Sequence, residues 1–364
     1  LKKSNPEREF FRRRAGVARW LNELSRKDFS YTGRKKSGVS KGAGWEVIVA
    51  PAIISIYGFG KKNKHYDETV KFLEDIKKRF LKKDCFVDFS STSSITAAAL
   101  VVVYAALDEA RIKRTGNAEV IWSKKNQRVN AILRANNIHK LIRGVKFSYA
   151  LDSVKSMPVI SSVGSEMMEE IIDFIQKRIY VDMSPTTEHI YGDAVSETIN
   201  NVRLHAYPEA SPADKKWWLM CSVVGKQLYL AIYDTGVGIP KTVVERPWFL
   251  RAVELTHPEK YSDLVAEYPE REKSWLLALV PTKISDEDLI YLSMQGDVSG
   301  TKEDKHGQGS KSILALVNDT EDGVLWVFSN SGLYKFNQSD KKPELYRLPK
   351  SFPGTLVQWN IELP

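Results

Sequence analysis

Between Trp45 and Leu141 two kinds of run alternate, and this alternation restricts the fold more than any other feature of the chain. Runs rich in β-branched and aromatic residues, Trp45–Tyr57, Cys85–Phe89 and Ala118–Trp122, read as strands. Between and after them lie helical stretches: Tyr66–Leu81, a helix with Ser93 or Ser94 as its N-cap, and Asn126–Asn136. Asn137-Ile-His-Lys-Leu141 then reads as a short β-like tail. The order predicts an α/β domain over 45–142, with helices covering a sheet. Gly144, Pro158, Gly164 and neighbouring serines mark a linker over 143–164, and a second domain fills 165–364.

A chain of 364 residues with 43% hydrophobic and 27% charged residues is neither disordered, collagen-like nor a small disulfide scaffold, and it has room for two domains. Its net charge of +9 is unevenly placed, because residues 1–41 hold 13 Lys and Arg against four Asp and Glu and so account for the whole surplus. Residues 6–28 read as a helix with Phe10, Val17, Leu21 and Leu24 on one face and Arg12, Arg19 and Arg26 on another. With the Gly/Ser/Lys-rich stretch 31–44, they make 1–44 a basic helix and flexible linker. Nucleic-acid binding through residues 1–41 is one reading of this arm. The favoured reading docks its apolar face on a core and leaves the arginines to solvent or an acidic partner. Cys85 and Cys221 lie in apolar stretches and read as small buried hydrophobes of a reduced compartment. The longest apolar run, Ile95–Leu107, falls short of the ~18 residues of a spanning helix. With no secretory signal, a cytoplasmic location and no membrane partner are expected. Because the chain begins with Leu1, the native start is left open.

Three segments of the second half carry chemistry. Ala194–Tyr207 is helical in pattern and stopped by Pro208; Glu197 and Asn201, four apart, project from one face, beside apolar Val195, Ile199 and Val202. A carboxylate one turn from a carboxamide can place a general base beside a magnesium ligand. The run Leu228–Asp234 is a strand ending in a carboxylate, followed by Thr235-Gly236-Val237-Gly238-Ile239-Pro240. Two glycines there let the backbone approach a flat ligand while Asp234 accepts a hydrogen bond from it. Last, His306-Gly307-Gln308-Gly309-Ser310-Lys311 opens a helix, and a glycine-rich helix start exposes backbone N–H groups that favour an anion. This is not a Walker loop, since no Gly-Lys-Ser/Thr triplet occurs.

In this order the three segments resemble the N box, G1 box and G2 box of the GHKL (histidine-kinase-like, Bergerat-fold) ATPases, and Pro353-Gly354-Thr355-Leu356 resembles the superfamily's closing Gly-Thr strand. The resemblance spans 165–364. It implies an α/β sandwich with helices on one face of a mixed sheet, with a helical insertion at 241–295 and an ATP lid at 296–309. Helical stretches within the insertion are expected at Trp248–Leu255, Glu270–Leu279 and Ser285–Met294. By resemblance the cofactors are ATP and Mg²⁺. Asp234 would bind the adenine amino group with support from Thr355, Asn201 would hold Mg²⁺, and Glu197 would be the catalytic base. Gly236 and Gly238 would shape the adenine side. Gly307, Gly309, Ser310, Lys302 and Lys311 would serve the phosphates, although Lys311 stands where the G2 box has its third glycine.

The N box, Ser196-Glu197-Thr-Ile-Asn-Asn201 followed by His205-Ala206-Tyr207, looks most like that of the anti-sigma-factor serine kinases. Residues 45–142 resemble the STAS domains those kinases act on, through Val87-Asp88-Phe89-Ser90 and Ile95-Thr96-Ala97-Ala98-Ala99-Leu100. Alanines stand where that family carries its phosphorylated serine, and Thr96 and Ser94 are poor substitutes. The leading expectation is therefore an ATP-hydrolysing, nucleotide-gated switch in a multiprotein assembly. A serine/threonine kinase for a separate STAS-type partner and a non-catalytic, ATP-stabilised interaction protein are the alternatives. Because GHKL proteins often pair, a homodimer belongs among the expected partners.

Overall fold

The structure, a computed structural model, describes residues 45–58, 64–80, 84–147, 151, 157–179, 184–246, 248–267, 283–295 and 308–363. The basic helix and linker of 1–44, the helical stretch expected at Glu270–Leu279, and Lys302 and Gly307 of the lid lie outside the described residues. The described chain is mixed α/β.

Its first half follows the alternation. The expected run Trp45–Tyr57 divides into β1 (Glu46–Val49) and β2 (Ile53–Ile54), with Pro51, which has no N–H for a ladder, between them. α1 (His65–Arg79) buries Tyr66, Val70, Leu73 and Ile76 on one stripe. It is followed by β3 (Cys85–Asp88), β4 (Ser94–Ile95), α2 (Ala97–Ile112) and β5 (Ala118–Ile121). β1, β3 and β5 form a parallel sheet in that order, and β2 pairs with β4, also in parallel. Parallel neighbours need crossovers, which α1 and α2 supply. Two expectations are corrected here. Ser94 lies in β4, and the residue flanking α2 is Thr96, in extended conformation. The segment after α3 (Gln127–Ala135) is not β-like: Asn137 turns left-handed at φ 54° and the chain re-enters a helix, α4 (Ile138–Arg143). Burial of Ile138, Leu141 and Ile142 at i, i+3 and i+4 gives α4 its inward face.

Strand β6 (Ile160–Val163) lies within the expected linker and forms one edge of the second sheet. α5 (Met168–Phe174) and α6 (Pro185–Asn201) follow, then β7 (Lys216–Val224) and β8 (Gln227–Asp234). The 241–295 region holds α7 (Ile239–Val243), α8 (Phe249–Thr256), α9 (Pro258–Glu267) and α10 (Asp286–Met294), gathered on a small core of Val243, Phe249, Val253, Leu289 and Leu292. α11 (Gln308–Asn318), β9 (Val324–Asn337) and β10 (Pro343–Glu362) complete the chain. The sheet order is β6-β7-β8-β10-β9, and every pairing is antiparallel, which corrects the mixed sheet expected. β7–β8 and β9–β10 are hairpins, and Gly225, at φ 66°, lies in the two-residue turn between β7 and β8.

Both faces of this sheet are buried. Trp217, Leu219, Cys221, Leu230, Ile232 and Trp359 pack with Val195 and Ile199 of α6 and Ile313 and Leu316 of α11. The alternate residues, Trp218, Met220, Ala231, Tyr233 and Leu356, belong to the same cluster as Ile48, Val87 and nearly all of α2 from Ala98 to Leu107. α2 lies directly against β7 and β8, so the expected helices on one face are joined by a helix of the first half on the other. Among the described residues, one hydrophobic cluster thus joins residues on both sides of the segment expected to separate two domains.

Polar groups fix the contact. Asp108, near the end of α2 and 3% exposed, accepts hydrogen bonds from Lys216 Nζ (2.6 Å), Ser161 Oγ (2.9 Å) and Trp218 Nε1 (3.1 Å), and pairs with Arg111 at 3.2 Å. Burial alone would raise its carboxyl. The Lys216 charge and these hydrogen bonds outweigh that and hold it below the ordinary value of 3.8. Because the folded value lies below the unfolded one, the stabilisation is complete above about pH 4 and is lost as pH falls through the folded value. Asp108→Ala strands the Lys216 charge and should lower unfolding free energy at pH 7 by about 3 kcal/mol. In urea titrations the gap to the parent protein should narrow as the pH is taken below 4.

Candidate functional site

Helix α6 begins cleanly because Ser184 accepts a hydrogen bond from the Thr187 N–H at 3.1 Å and Pro185 occupies the first turn. Ala194, Val195 and Ile199 anchor its inner stripe, which leaves Glu197 and Asn201 half-buried one turn apart. The helix widens into a π turn, Val202–Ala206, and stops at Tyr207. There the phenol oxygen donates to the Lys216 carbonyl (2.7 Å) and accepts from the Thr235 N–H (3.0 Å). The end of α6 is thereby tied to the end of β8.

Asp234 closes β8, in register with Trp217 on one side and Thr355 on the other. Its carboxylate accepts the Gly236 N–H at 2.8 Å. Burial pushes its carboxyl up to about 7, against the lowering effect of the Gly236 and Thr355 N–H groups, and the nearby Glu109 carboxylate pushes it further up. Thr355 Oγ1 lies 3.0 Å from Ser329 Oγ, which accepts the Ile239 N–H at 2.9 Å.

The glycines act differently from the sequence expectation. A Cβ on Gly236 would meet the Ala206 carbonyl oxygen at 2.2 Å, and one on Gly354 (φ 88°) the Asp234 carbonyl oxygen at 2.0 Å. The close approaches they permit are between protein segments, the α6 end and the irregular stretch of β10 around Gly354 both closing on the Asp234 loop. Gly238, at φ 92°, sits against Asn330 and Ser329 and does face the cavity.

That cavity, about 330 Å³, is lined by Glu197, Asn201, Asp234, Gly238, Ser310 and Thr355, six of the residues singled out in the sequence. Apolar Ile232, Ile239, Val327 and Val357 complete the wall near Asp234. Ser310 Oγ, in the first turn of α11, is buried with no hydrogen-bond partner among the described residues. Gly236 adjoins the cavity without lining it, and Gly309 occupies the first turn of α11. Lys311 is exposed and borders a separate depression with Ile190 and Asn318. Arg203, His205, Arg246 and Trp248 also line the main cavity. Arg246 and Trp248 were not singled out, because they follow the Gly-x-Gly turn by several residues in no recognisable motif. Among the described residues no group of three or more His, Cys, Asp or Glu could hold a metal on protein ligands alone. The chain matches no protein-family model, and it matches no curated protein.

Such an arrangement can hold a flat ligand that donates a hydrogen bond to Asp234, with an anion at the Ser310 end. Two variants should move stability in opposite directions. Gly236→Ala should cost about 1–3 kcal/mol in urea unfolding, because the clash is with backbone. Asp234→Asn should stabilise the ligand-free protein at pH 8. The folded carboxyl titrates above its unfolded value of 3.8, so ionisation destabilises the fold progressively from about pH 4 to pH 7; the advantage of Asn should vanish near pH 4.

Proposed function

We propose that the chain is a GHKL-type ATP-binding protein that hydrolyses ATP slowly and works as a nucleotide-gated switch in a multiprotein assembly. The observation that carries this reading is the convergence of Glu197, Asn201, Asp234, Ser310 and Thr355, from four separate parts of the chain, on one cavity. The cavity volume suits a nucleoside-sized ligand, and the Ser310 hydroxyl at a helix start, without a hydrogen-bond partner among the described residues, suits a phosphate.

In this reading Asp234 accepts the adenine amino group while Ile232, Ile239 and Val327 bound the ring. The Ser310 hydroxyl and the α11 start take the phosphates, with Gly307, Gly309 and Lys302 expected to assist. Asn201 would hold Mg²⁺ together with phosphate oxygens, and the ion would neutralise charge on the transferred phosphoryl group. Glu197, one turn before Asn201 on α6, takes the proton from the attacking water. Arg246 and Arg203, in the same wall, add positive charge.

The chain's own first half is a poor phosphate acceptor, which favours a switch over self-phosphorylation. Thr96 Oγ1 is buried at the start of α2, and exposed Ser94 lies in a strand instead of at a helix start.

Asp234→Asn should abolish ATP binding in calorimetry, and Glu197→Ala should bind ATP with near-parental affinity but turn over at least 100-fold more slowly. Unchanged affinity in the Asp234 variant overturns the assignment. Transfer of γ-phosphate to a STAS-type partner would identify a kinase, and tight binding without turnover a silent binder. The affinity should also rise with pH through about 7, as Asp234 becomes free to accept a hydrogen bond.

A further inference from the structure

The nucleotide cavity is built wholly from the second half of the chain, yet one acidic side chain of the first half reaches its rim. Glu109 follows Asp108 on α2, and its Oε1 accepts a hydrogen bond from Thr235 Oγ1. Thr235 is the residue between Asp234 and Gly236. Its N–H is held by the Tyr207 phenol, whose oxygen also lies 3.1 Å from Thr235 Oγ1 and which donates to the Lys216 carbonyl. Lys216 in turn holds Asp108. Four elements meet at this point: α2, the end of α6, the start of β7 and the turn after β8.

We propose that Glu109 is a positioning residue of the nucleotide site, supplied by the α/β layer outside that site, which sets the Asp234 turn through Thr235. The inference rests on the nucleotide reading above and extends it by naming a residue that touches neither base nor phosphate.

Three geometric facts carry it. Gly236 is already in contact with the Ala206 backbone, and the Val237 N–H donates to the Ala206 carbonyl at 2.8 Å, so the turn has little freedom on its inner side. On its outer side Thr235 is held by Glu109 and Tyr207, which fixes the backbone of the turn whose Gly236 N–H the Asp234 carboxylate accepts. The Asp108 clamp next along the helix fixes α2 against β7, so Glu109 cannot drift from the turn without breaking that clamp. Charge adds a second effect. The ionisable groups facing Asp234 are Glu109 from α2 and Tyr207 from the α6 end, with Tyr233 beside it on β8. Glu109 raises the Asp234 carboxyl, and removing its charge should let Asp234 ionise at lower pH.

The test uses the full chain and calorimetric titration with Mg-ATP across pH 5.5–8.5. Glu109→Ala should weaken ATP binding about 5- to 20-fold at pH 8, where Asp234 is ionised and only positioning is read. Glu109→Gln, whose amide oxygen can still accept from Thr235, should restore most of that affinity. In both variants the midpoint of the pH dependence should shift downward, by about 0.5. Thr235→Val, which removes the hydroxyl in a similar volume, should reproduce the affinity loss without the same shift in midpoint. A double-mutant cycle combining Glu109→Ala with Thr235→Val should show non-additive losses. Parental affinity and midpoint in Glu109→Ala, with the parent binding ATP normally, overturn the role of Glu109 and leave the nucleotide reading intact. A parent that binds no ATP overturns both. If Glu109→Ala does not fold, Glu109→Gln and Thr235→Val decide the question through the midpoint and the affinity respectively.

Discussion

A carboxylate removed from water near the end of α2, a helix buried over most of its length, holds this structure in one arrangement. Asp108 accepts from an ammonium, an indole N–H and a hydroxyl, and the three donors come from β7 and β6. Apolar packing alone would let α2 slide along the sheet, since Val and Ala side chains against Trp218 and Ala231 define a surface with few fixed points. Directional hydrogen bonds in a dry setting do not allow that. The Asp108 clamp adds directional fixed points to the packing that sets the register of α2 on the second sheet, and with it the placing of Glu109 against Thr235.

The same arrangement explains why the candidate site sits where it does. β8 is a central strand, flanked by β7 and β10, and its last residue emerges between two neighbours that are themselves buried. The end of α6 approaches from one side because Gly236 has no side chain, and β10 approaches from another at its irregularity because Gly354 has none. The Lys216 side chain holds α2, while its backbone carbonyl accepts from Tyr207, so one residue links the interlayer clamp to the wall of the cavity. Tyr66, whose phenol donates to the Lys350 carbonyl at 2.9 Å, ties α1 to β10 in a similar way.

Much of this was legible in the sequence. Strand β8 falls where its apolar run puts it, and the spacing of Glu197 and Asn201 correctly predicts one helix face; helical structure ends before Pro208 as expected, but α6 starts at Pro185, nine residues before the expected Ala194. The cluster shared between the two halves also leaves a trace in the sequence. Ile95–Leu107 is apolar all round and too short to span a bilayer, and a helix of that kind must be buried on every side. Trp217-Trp218-Leu-Met-Cys has no polar alternation, which marks a strand covered on both faces. Read together, those two runs belong against each other. What the sequence did not carry was register and local backbone: the left-handed Asn137 that starts α4, the pairing of Ile160–Val163 with β7, and the turn that brings Arg246 and Trp248 to the cavity. Each is decided by tertiary contact, and none leaves a periodic trace.

The dryness of Asp234 bears on selectivity as well as on pH. A carboxylate already satisfied by water would gain little from one more donor, and ligands with or without that donor would bind alike. Here the carboxylate has the Gly236 and Thr355 N–H groups and little else, and burial keeps it close to neutrality in the ligand-free protein. A ligand bearing an amino group at that position supplies what the site lacks, whereas one with a carbonyl oxygen there sets two acceptors against each other or forces Asp234 to keep its proton. Sites built to pair a buried polar group reject the unpaired analogue far more strongly than apolar pockets reject a missing methylene. A turn tightened by Gly236 and Gly354 and held from behind by Thr235 cannot swing the carboxylate out to water to relieve that mismatch. Under the nucleotide reading proposed above, discrimination among purine bases would depend on the rigidity of the Asp234 turn, and that rigidity derives from packing outside the cavity.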